Sequence, residues 1–234
     1  MKNKRVNDQK QNKRVDDRKQ SKSVNGRNRK RKGTFWITIG LLLIAAAFFL
    51  TVYNLYDNLR AEQSAGQVID QLKDGLFPDG TADSDGETGI PSYVLCPEME
   101  MPVETVNGME IVGVLQIPAL ELELPVISQW SYPSLKKAPC RYSGSAYLNN
   151  LVICGHNYAS HFGSLKKLSE GDQAVFTDMD GKVFTYRMVE RETLLPDSPS
   201  SIEEMESGDW DLTLFTCTTG GKSRVTVRFE LEGN

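Results

Sequence analysis

A cysteine and a histidine stand at the ends of two apolar, strand-like runs of this 234-residue chain. The run "WDLTLFTC" stops at Cys217 before a Gly-Gly turn, and the run "NNLVICGH" stops at His156. A thiol becomes a useful nucleophile when a neighbouring base or cation favours the thiolate, and imidazole titrates near working pH. If the fold brings the two strand ends together, Cys217 and His156 predict nucleophilic catalysis.

An arginine follows the cysteine closely enough to join the same site. The turn "TTGGKS" reverses the chain after Cys217, and Arg224 opens the next run, "SRVTVRFELE". A guanidinium there could hold a substrate backbone or a developing oxyanion. Arg228 carries the same charge, but four residues along a strand place it roughly 13 Å further from the thiol. Taken singly, the three residues have ordinary readings as core filler, strand-end cap and surface charge, so the prediction depends on their joint occurrence.

Short β-rich runs begin near residue 111 and must position these side chains. Turn residues separate seven such runs, a pattern typical of a closed or nearly closed β-barrel. One short helix is predicted in "HFGSLKKL", where His161 would cap the helix or face solvent. In the last run apolar and polar residues alternate, which predicts that the apolar set faces a core. The residues predicted to face outward are Arg224, Thr226, Arg228 and Glu230.

The charge of the chain is divided between its two ends. Residues 1–32 contain fourteen Lys or Arg and three Asp or Glu, whereas the remainder contains thirteen and twenty-eight. Residues 33–56 carry no charge and are long enough to cross a bilayer. The segment is too long and too uniformly apolar to suggest a cleaved signal peptide or a soluble core helix. Because flanking Lys and Arg stay cytoplasmic, the sequence predicts a single pass with the N-terminus inside.

Four parts of the chain follow from this pattern. The basic segment, rich in Asn, Gln and Ser, is interpreted as a disordered tail near anionic lipid, and nucleic-acid binding is not predicted. After the span, an apolar stripe at helical spacing predicts a juxtamembrane helix, and "FPDGTADSDGETGIPS" predicts a flexible linker. The predicted parts are a cytoplasmic tail (1–32), a transmembrane anchor (33–56), a juxtamembrane helix and linker (57–92) and an extracellular catalytic domain (93–234).

Several of these residues resemble the motifs of the sortases, the cysteine transpeptidases of Gram-positive bacteria. The segment from Thr213 to Cys217 fits their TLxTC signature, and Gly155-His156 fits their strand-end histidine. The order of His156, Cys217 and Arg224, the basic tail and the single anchor also fit. The likeness covers residues ~110–232. Asn157-Tyr158, where many relatives have an arginine, and the short segment between Cys217 and Arg224 leave the subclass undecided.

The resemblance implies an all-β fold, a closed eight-stranded β-barrel with short helices after the transmembrane helix. It implies cleavage of a C-terminal, LPxTG-like sorting signal of surface proteins or pilins, and transfer of the acyl group to an amine of peptidoglycan or of a pilin. Cys217 would be the nucleophile and His156 the general acid and base. Arg224 would stabilise the oxyanion, and Thr216 would add a substrate hydrogen bond or serve only as a strand residue. The reaction requires no cofactor.

Other interpretations stay open at the level of sequence. A zinc-dependent hydrolase could use Cys154, His156, His161 and Cys217 as ligands, although their spacing matches no common zinc framework. A membrane-tethered β-domain that only binds a surface partner is the non-enzymatic alternative. A Cys96–Cys140 disulfide is conceivable outside the cell. No ordered acidic loop indicates a calcium site.

Overall fold

The computed structural model describes residues 2–75, 91–195, 209–218 and 220–233, and it describes side chains of the first range from residue 35 to residue 73. The predicted linker at 77–92 therefore lies almost wholly outside the described residues, as does the segment "PDSPSSIEEMESG". The chain divides into two compact units, Met1–Leu55 and Tyr56–Asn234.

One long helix, α1, runs from Lys2 to Gly75. Its Phe35–Lys73 part is long and apolar enough to be a candidate membrane span. The apolar side chains from Phe35 to Tyr56 are mostly exposed, as expected for a surface that faces lipid. The basic tail was predicted to be disordered, but its backbone is helical from Lys2. This difference is understandable because Lys, Arg and Gln have high helix propensity and the tail contains no proline.

The second unit contains an all-β barrel. The strands are β1 (Glu104–Val106), β2 (Met109–Ile117), β3 (Leu122–Ile127), β4 (Cys140–Ser143), β5 (Leu151–Gly155), β6 (Gln173–Asp178), β7 (Val183–Leu194), β8 (Leu212–Cys217) and β9 (Arg224–Leu231). Eight strands close it, because β6 pairs both with β7 and back with β2. The order around the sheet is β1-β2-β3-β4-β5-β8-β9-β7-β6, with β1 attached only to β2. The closed eight-stranded barrel expected from the sequence is confirmed.

The helical elements described after α1 are short. They are α2 (Ser92–Leu95), α3 (Tyr132–Leu135) and three single turns of 3₁₀-helix at Pro118–Leu120, Ala146–Leu148 and Leu165–Lys167. The helix predicted in "HFGSLKKL" is reduced to the last of these turns. Gly163 explains the difference, since its backbone packs so closely on the preceding turn that a Cβ there would lie 2.7 Å from the Tyr158 carbonyl oxygen.

Two apolar clusters stabilise the second unit. The larger fills the barrel and includes Leu151, Ile153, Leu214 and Phe229. The other lies on the outer face of the sheet, where Val68, Ile69 and Leu72 of α1 pack with side chains of β2, β5 and β8. The stripe predicted after the membrane span is thus buried on the barrel, because helical spacing places these side chains on one face.

The outer face of β9 is more enclosed than its polar sequence predicts. Arg228 is only 1% exposed, and Thr226 is also buried. The Arg228 guanidinium donates from Nε and Nη2 to Glu192 Oε1 and from Nη1 to the Thr213 hydroxyl. Arg228 thus projects from the outer face as predicted but is not exposed to solvent, because flanking strands supply hydrogen-bond partners for the buried guanidinium.

Candidate active site

Two parallel strands bring the predicted histidine and cysteine to the same edge of the sheet. Strands β5 and β8 are neighbours, and Gly155 pairs with Thr216 in their register. His156 and Cys217 each follow this last pair by one residue. Strands β8 and β9 are antiparallel, and Cys217 pairs directly with Arg224. The topology therefore places Cys217 between His156 and Arg224.

The thiol and the guanidinium share the outer face of the barrel. Residues directly opposite in an antiparallel pair project to the same side, and side chains along a strand alternate. Leu212 and Leu214 belong to the interior cluster, whereas Phe215 belongs to the outer one, so Cys217 projects outward. Cys217 is exposed and Arg224 is half-buried. A nucleophile in this position is open to an incoming chain.

Arg224 carries an unused donor. Its Nη1 atom is buried, and no hydrogen-bond partner for it occurs among the residues that the structure describes. A buried guanidinium nitrogen is costly unless an acceptor satisfies it. An oxyanion or a peptide carbonyl placed beside Cys217 would supply that acceptor.

Thr216 occupies the opposite face from Cys217. It is buried, it pairs with Val225, and Val225 packs on the interior cluster. Its hydroxyl has no partner within the described part of the chain. The structure thus brings His156, Cys217 and Arg224 to one edge and leaves the Thr216 side chain beneath them, away from the surface that a substrate would reach.

Gly155 determines how the chain leaves β5. A Cβ at this position would lie 2.5 Å from the buried ring of Phe162, so only glycine permits the ring to pack on the strand end. The Phe162 N–H also donates to the His156 carbonyl at 3.1 Å. The glycine before the histidine is therefore a packing requirement that fixes the backbone of His156.

The imidazole of His156 is half-buried among charged and aromatic groups. Burial lowers its pKa below the ordinary value, Lys136 acts in the same direction, and Asp57 of α1 opposes them. The ring of Tyr158 lies against it, with centroids 4.7 Å apart and planes inclined by 34°. The Tyr158 hydroxyl donates to Asp57 Oδ2 at 2.7 Å. Sequence reasoning missed both Tyr158 and Asp57.

His161 does not face solvent as predicted. It is completely buried, its ring lies 5.6 Å from that of Tyr158, and neither ring nitrogen has a hydrogen-bond partner among the described residues. Burial, reinforced by His156, lowers the pKa of His161 to about 4. The loop after β5 folds back under Tyr158, and this reversal encloses His161.

The other cysteines differ from Cys217 in environment. Cys140 and Cys154 are opposed across β4 and β5, both are buried, and burial raises the pKa of each to about 12. Cys96 is exposed, and all four cysteines are free, so the conceivable Cys96–Cys140 disulfide is not present in the structure.

The ligands considered for zinc do not form a metal-binding cluster. In the described ranges, no three His, Cys, Asp or Glu side chains gather as a set that could hold a metal ion. The Cys154 thiol instead donates to the Cys140 carbonyl at 3.5 Å. The arrangement of these side chains supports chemistry by one thiol, that of Cys217.

A row of aromatic side chains flanks the thiol on the outer face. Tyr142 meets Phe215 edge to face at a centroid distance of 5.3 Å, and Trp130 stacks on Tyr142 at 5.9 Å. Phe215 lies two residues before Cys217 and therefore on the same side of β8. This aromatic row, Phe215–Tyr142–Trp130, offers an apolar surface beside the nucleophile.

Comparisons with known proteins find one family. The family model described as Sortase domain matches residues 115–232. A curated relative, Sortase A of Bacillus anthracis, is 21% identical over 208 residues, which cover 83% of this chain and 93% of the relative. A Clostridium perfringens Sortase D5 transpeptidase structure is 18% identical, with a TM-score of 0.49 and coverage of 73% of this chain and 97% of its own. Sortase A from Corynebacterium diphtheriae is 21% identical, with a TM-score of 0.48 and coverage of 54% and 62%.

Proposed function

Because the chain belongs to the sortase family of cysteine transpeptidases, we propose that it cleaves a C-terminal, LPxTG-like sorting signal and transfers the acyl group to an amine of the cell wall or of a pilin. The observation that carries the proposal is the placement of Cys217 between His156 and Arg224 at one edge of the barrel. Its substrates would be surface proteins or pilins that bear such a signal.

In the first half of the reaction, Cys217 Sγ attacks the carbonyl carbon of the scissile peptide bond. A thioester forms as the carbon–nitrogen bond breaks, and His156 gives a proton to the departing amine. Forming a covalent intermediate divides a difficult amide exchange into two easier steps. The exposure of Cys217 supports this role, since the carbonyl must approach the sulfur directly.

In the second half, His156 removes a proton from the incoming amine, which attacks the thioester carbon. The new amide forms, the carbon–sulfur bond breaks, and the thiolate is restored. Half-burial of the imidazole favours its neutral form, which is the form that accepts a proton. His156 thus alternates between acid and base within one turnover.

Arg224 stabilises the charge that develops on the carbonyl oxygen in both halves. Its Nη1 is buried and has no partner among the described residues, which supports this role, because a fixed donor in a partly dry site needs little reorganisation. Thr216 contributes through the strand on which it lies rather than through a substrate hydrogen bond, as the burial of its side chain suggests. The aromatic row would receive apolar side chains of the sorting signal.

The candidate membrane span suits an enzyme that acts on proteins emerging from the membrane. The basic tail would remain cytoplasmic beside anionic lipid, and the barrel would lie outside the cell. In this position the barrel would meet both the sorting signal and the extracellular amine.

The test is a transfer assay with the full chain in detergent. A library of sorting-signal peptides is mixed with the enzyme and with triglycine or diaminopimelate, and products are identified by mass spectrometry. The proposal expects a peptide joined to the acceptor with the wild type and with Cys96→Ala, and none with Cys217→Ala. Transfer by Cys217→Ala would refute the assignment of the nucleophile, and a wild type that cleaves no peptide would favour a binding domain without enzymatic activity.

A further inference from the structure

Asp57 of α1 is joined to the proposed active site across 101 residues of sequence. Its carboxylate accepts a hydrogen bond from the Tyr158 hydroxyl, and the Tyr158 ring in turn lies against the imidazole of His156. We propose that Asp57 is a positioning residue for His156, acting through Tyr158, so that the juxtamembrane helix completes the active site. The inference rests on the proposed role of His156.

The helix places Asp57 by a regular pattern. Ala61, Ala65 and Ile69 follow it at intervals of four residues, and all three are buried. Residues at this spacing lie on one face of a helix, so the carboxylate projects toward the barrel as these apolar side chains do. The small alanines allow the helix to approach closely. A carboxylate on an otherwise apolar face requires a partner, and the Tyr158 hydroxyl is one.

Tyr158 is placed to transmit this contact. Its ring lies between two imidazoles, with centroid distances of 4.7 Å to His156 and 5.6 Å to His161. The backbone around it is also tied, because the N–H groups of His161 and Gly163 donate to the Tyr158 carbonyl. Because hydrogen bonds hold both its backbone and its hydroxyl, the Tyr158 ring has little freedom to move. The ring therefore limits the rotation of the His156 side chain that packs on it.

Charged and titratable groups approach His156 from several elements. They are Asp57 on α1, Lys136 after α3, Tyr158 and His161 in its own loop, Cys217 at the end of β8 and Arg224 at the start of β9. Burial and Lys136 lower the pKa of the imidazole, and Asp57 raises it. The Asp57 carboxylate therefore favours the protonated form of His156, which is the form that donates to the leaving amine.

The inference is tested with Asp57→Asn, which keeps the size of the side chain and removes its charge. Glu62→Gln, an exposed position on the same helix, is the matched control. The full chain is prepared in detergent with ¹³C-labelled histidine, and its two imidazoles are titrated by NMR and assigned with His156→Gln. We expect Asp57→Asn to lower the pKa of His156 and Glu62→Gln to leave it unchanged. An unaltered His156 titration in folded Asp57→Asn would overturn the inference.

Kinetics provide a second readout that separates positioning from folding. Asp57→Asn and Tyr158→Phe should each lower kcat about tenfold, with KM within about twofold, because a small misplacement of a catalytic group is costly. The double variant should be no slower than Tyr158→Phe, because Tyr158→Phe removes the hydrogen-bond donor and the loss of charge at its acceptor then has no further effect through this contact. Independent, multiplicative losses would contradict the coupling. If Asp57→Asn fails to fold, Tyr158→Phe alone decides, and kcat within twofold of wild type would refute the inference.

The two proposals fail in distinguishable ways. The NMR titration needs no substrate, so the effect of Asp57 on His156 is measurable even if the wild type cleaves no sorting peptide. In that outcome the proposed function fails while the structural coupling stands. Normal transpeptidation with an unchanged His156 titration in Asp57→Asn would leave the function intact and remove the positioning role.

Discussion

Cys217 and Arg224 are direct partners in the antiparallel pairing of β8 with β9, so that thiol and guanidinium project from the same outer face. Arg228, further along the same strand, pairs with Thr213 and is bound to Glu192. The two arginines share a strand and a face but have different surroundings. One has a buried donor without a described partner, and the other uses its donors within the barrel.

The first prediction separates these arginines by activity and stability. At equal folded concentration, Arg224→Lys should lose most peptide transfer, because an ammonium cannot hold two acceptors as a planar guanidinium does. Arg228→Lys should keep most transfer but lose roughly 1.5–3 kcal/mol of unfolding free energy, as expected for charged hydrogen bonds. Transfer assays and thermal unfolding measure the two effects. Equal loss of transfer in both variants would show that the pairing of Cys217 with Arg224 does not decide function.

A second prediction concerns thiol reactivity. Iodoacetamide added to the native full chain should modify Cys217 and Cys96, which are exposed, and spare Cys140 and Cys154. Burial raises the pKa of the latter pair to about 12, so little thiolate is present at neutral pH. Peptide mapping by mass spectrometry gives the result directly. Rapid modification of Cys154 before denaturation would contradict the described packing of β4 against β5.

The third prediction uses the buried His161. Its pKa of about 4 in the folded chain, against 6.5 for a free side chain, means that the unfolded chain takes up a proton first as the pH falls. The contribution of neutral His161 to the free energy of unfolding is complete above pH 6.5. As the pH falls toward 4, the free energy of unfolding decreases by roughly 3 kcal/mol. Denaturant unfolding of wild type and His161→Leu should differ in pH slope across this window, with the smaller fall in the variant. Identical slopes would show that His161 titrates normally.

A fourth prediction addresses orientation in the membrane. In a Cys217→Ala background, a membrane-impermeant maleimide applied to intact cells should label the exposed Cys96, because the barrel is proposed to lie outside. A cysteine introduced at Ser23 in the basic tail should remain unlabelled until the cells are opened. Labelling of the tail with protection of Cys96 would reverse the proposed topology.

Much of the barrel could be predicted from local sequence. Apolar–polar alternation and flanking turn residues mark the seven runs that form β2, β3 and β5 to β9, so these strands and the ends that carry His156 and Cys217 could be predicted without tertiary information. Strand β4 (Cys140–Ser143) is not among the predicted runs. The pairing of Cys217 with Arg224 could also be expected, because a six-residue connection between two strands favours a hairpin.

The remainder depends on contacts between distant segments. The burial of Arg228 requires Glu192 of β7, 36 residues away, and its alternating pattern is identical to that of a solvent-facing residue. His161 is enclosed only because its loop turns back beneath Tyr158. Asp57 could have been suspected, since it extends the stripe of Ala61 and Ala65, but its partner is fixed by how α1 lies on the barrel. Such partners are determined by tertiary packing, which local periodicity does not encode.

The proposal that Cys217 carries the acyl group is tested by mass spectrometry of the enzyme trapped with a sorting-signal peptide. The full chain is quenched in acid after mixing with a sorting-signal peptide in the absence of an amine, and then digested and sequenced by mass spectrometry. We expect a thioester of the N-terminal part of the peptide on Cys217, removed by hydroxylamine, retained in Cys96→Ala and absent from Cys217→Ala. Cleavage without an adduct at Cys217, or an adduct on Cys96 alone, would contradict it.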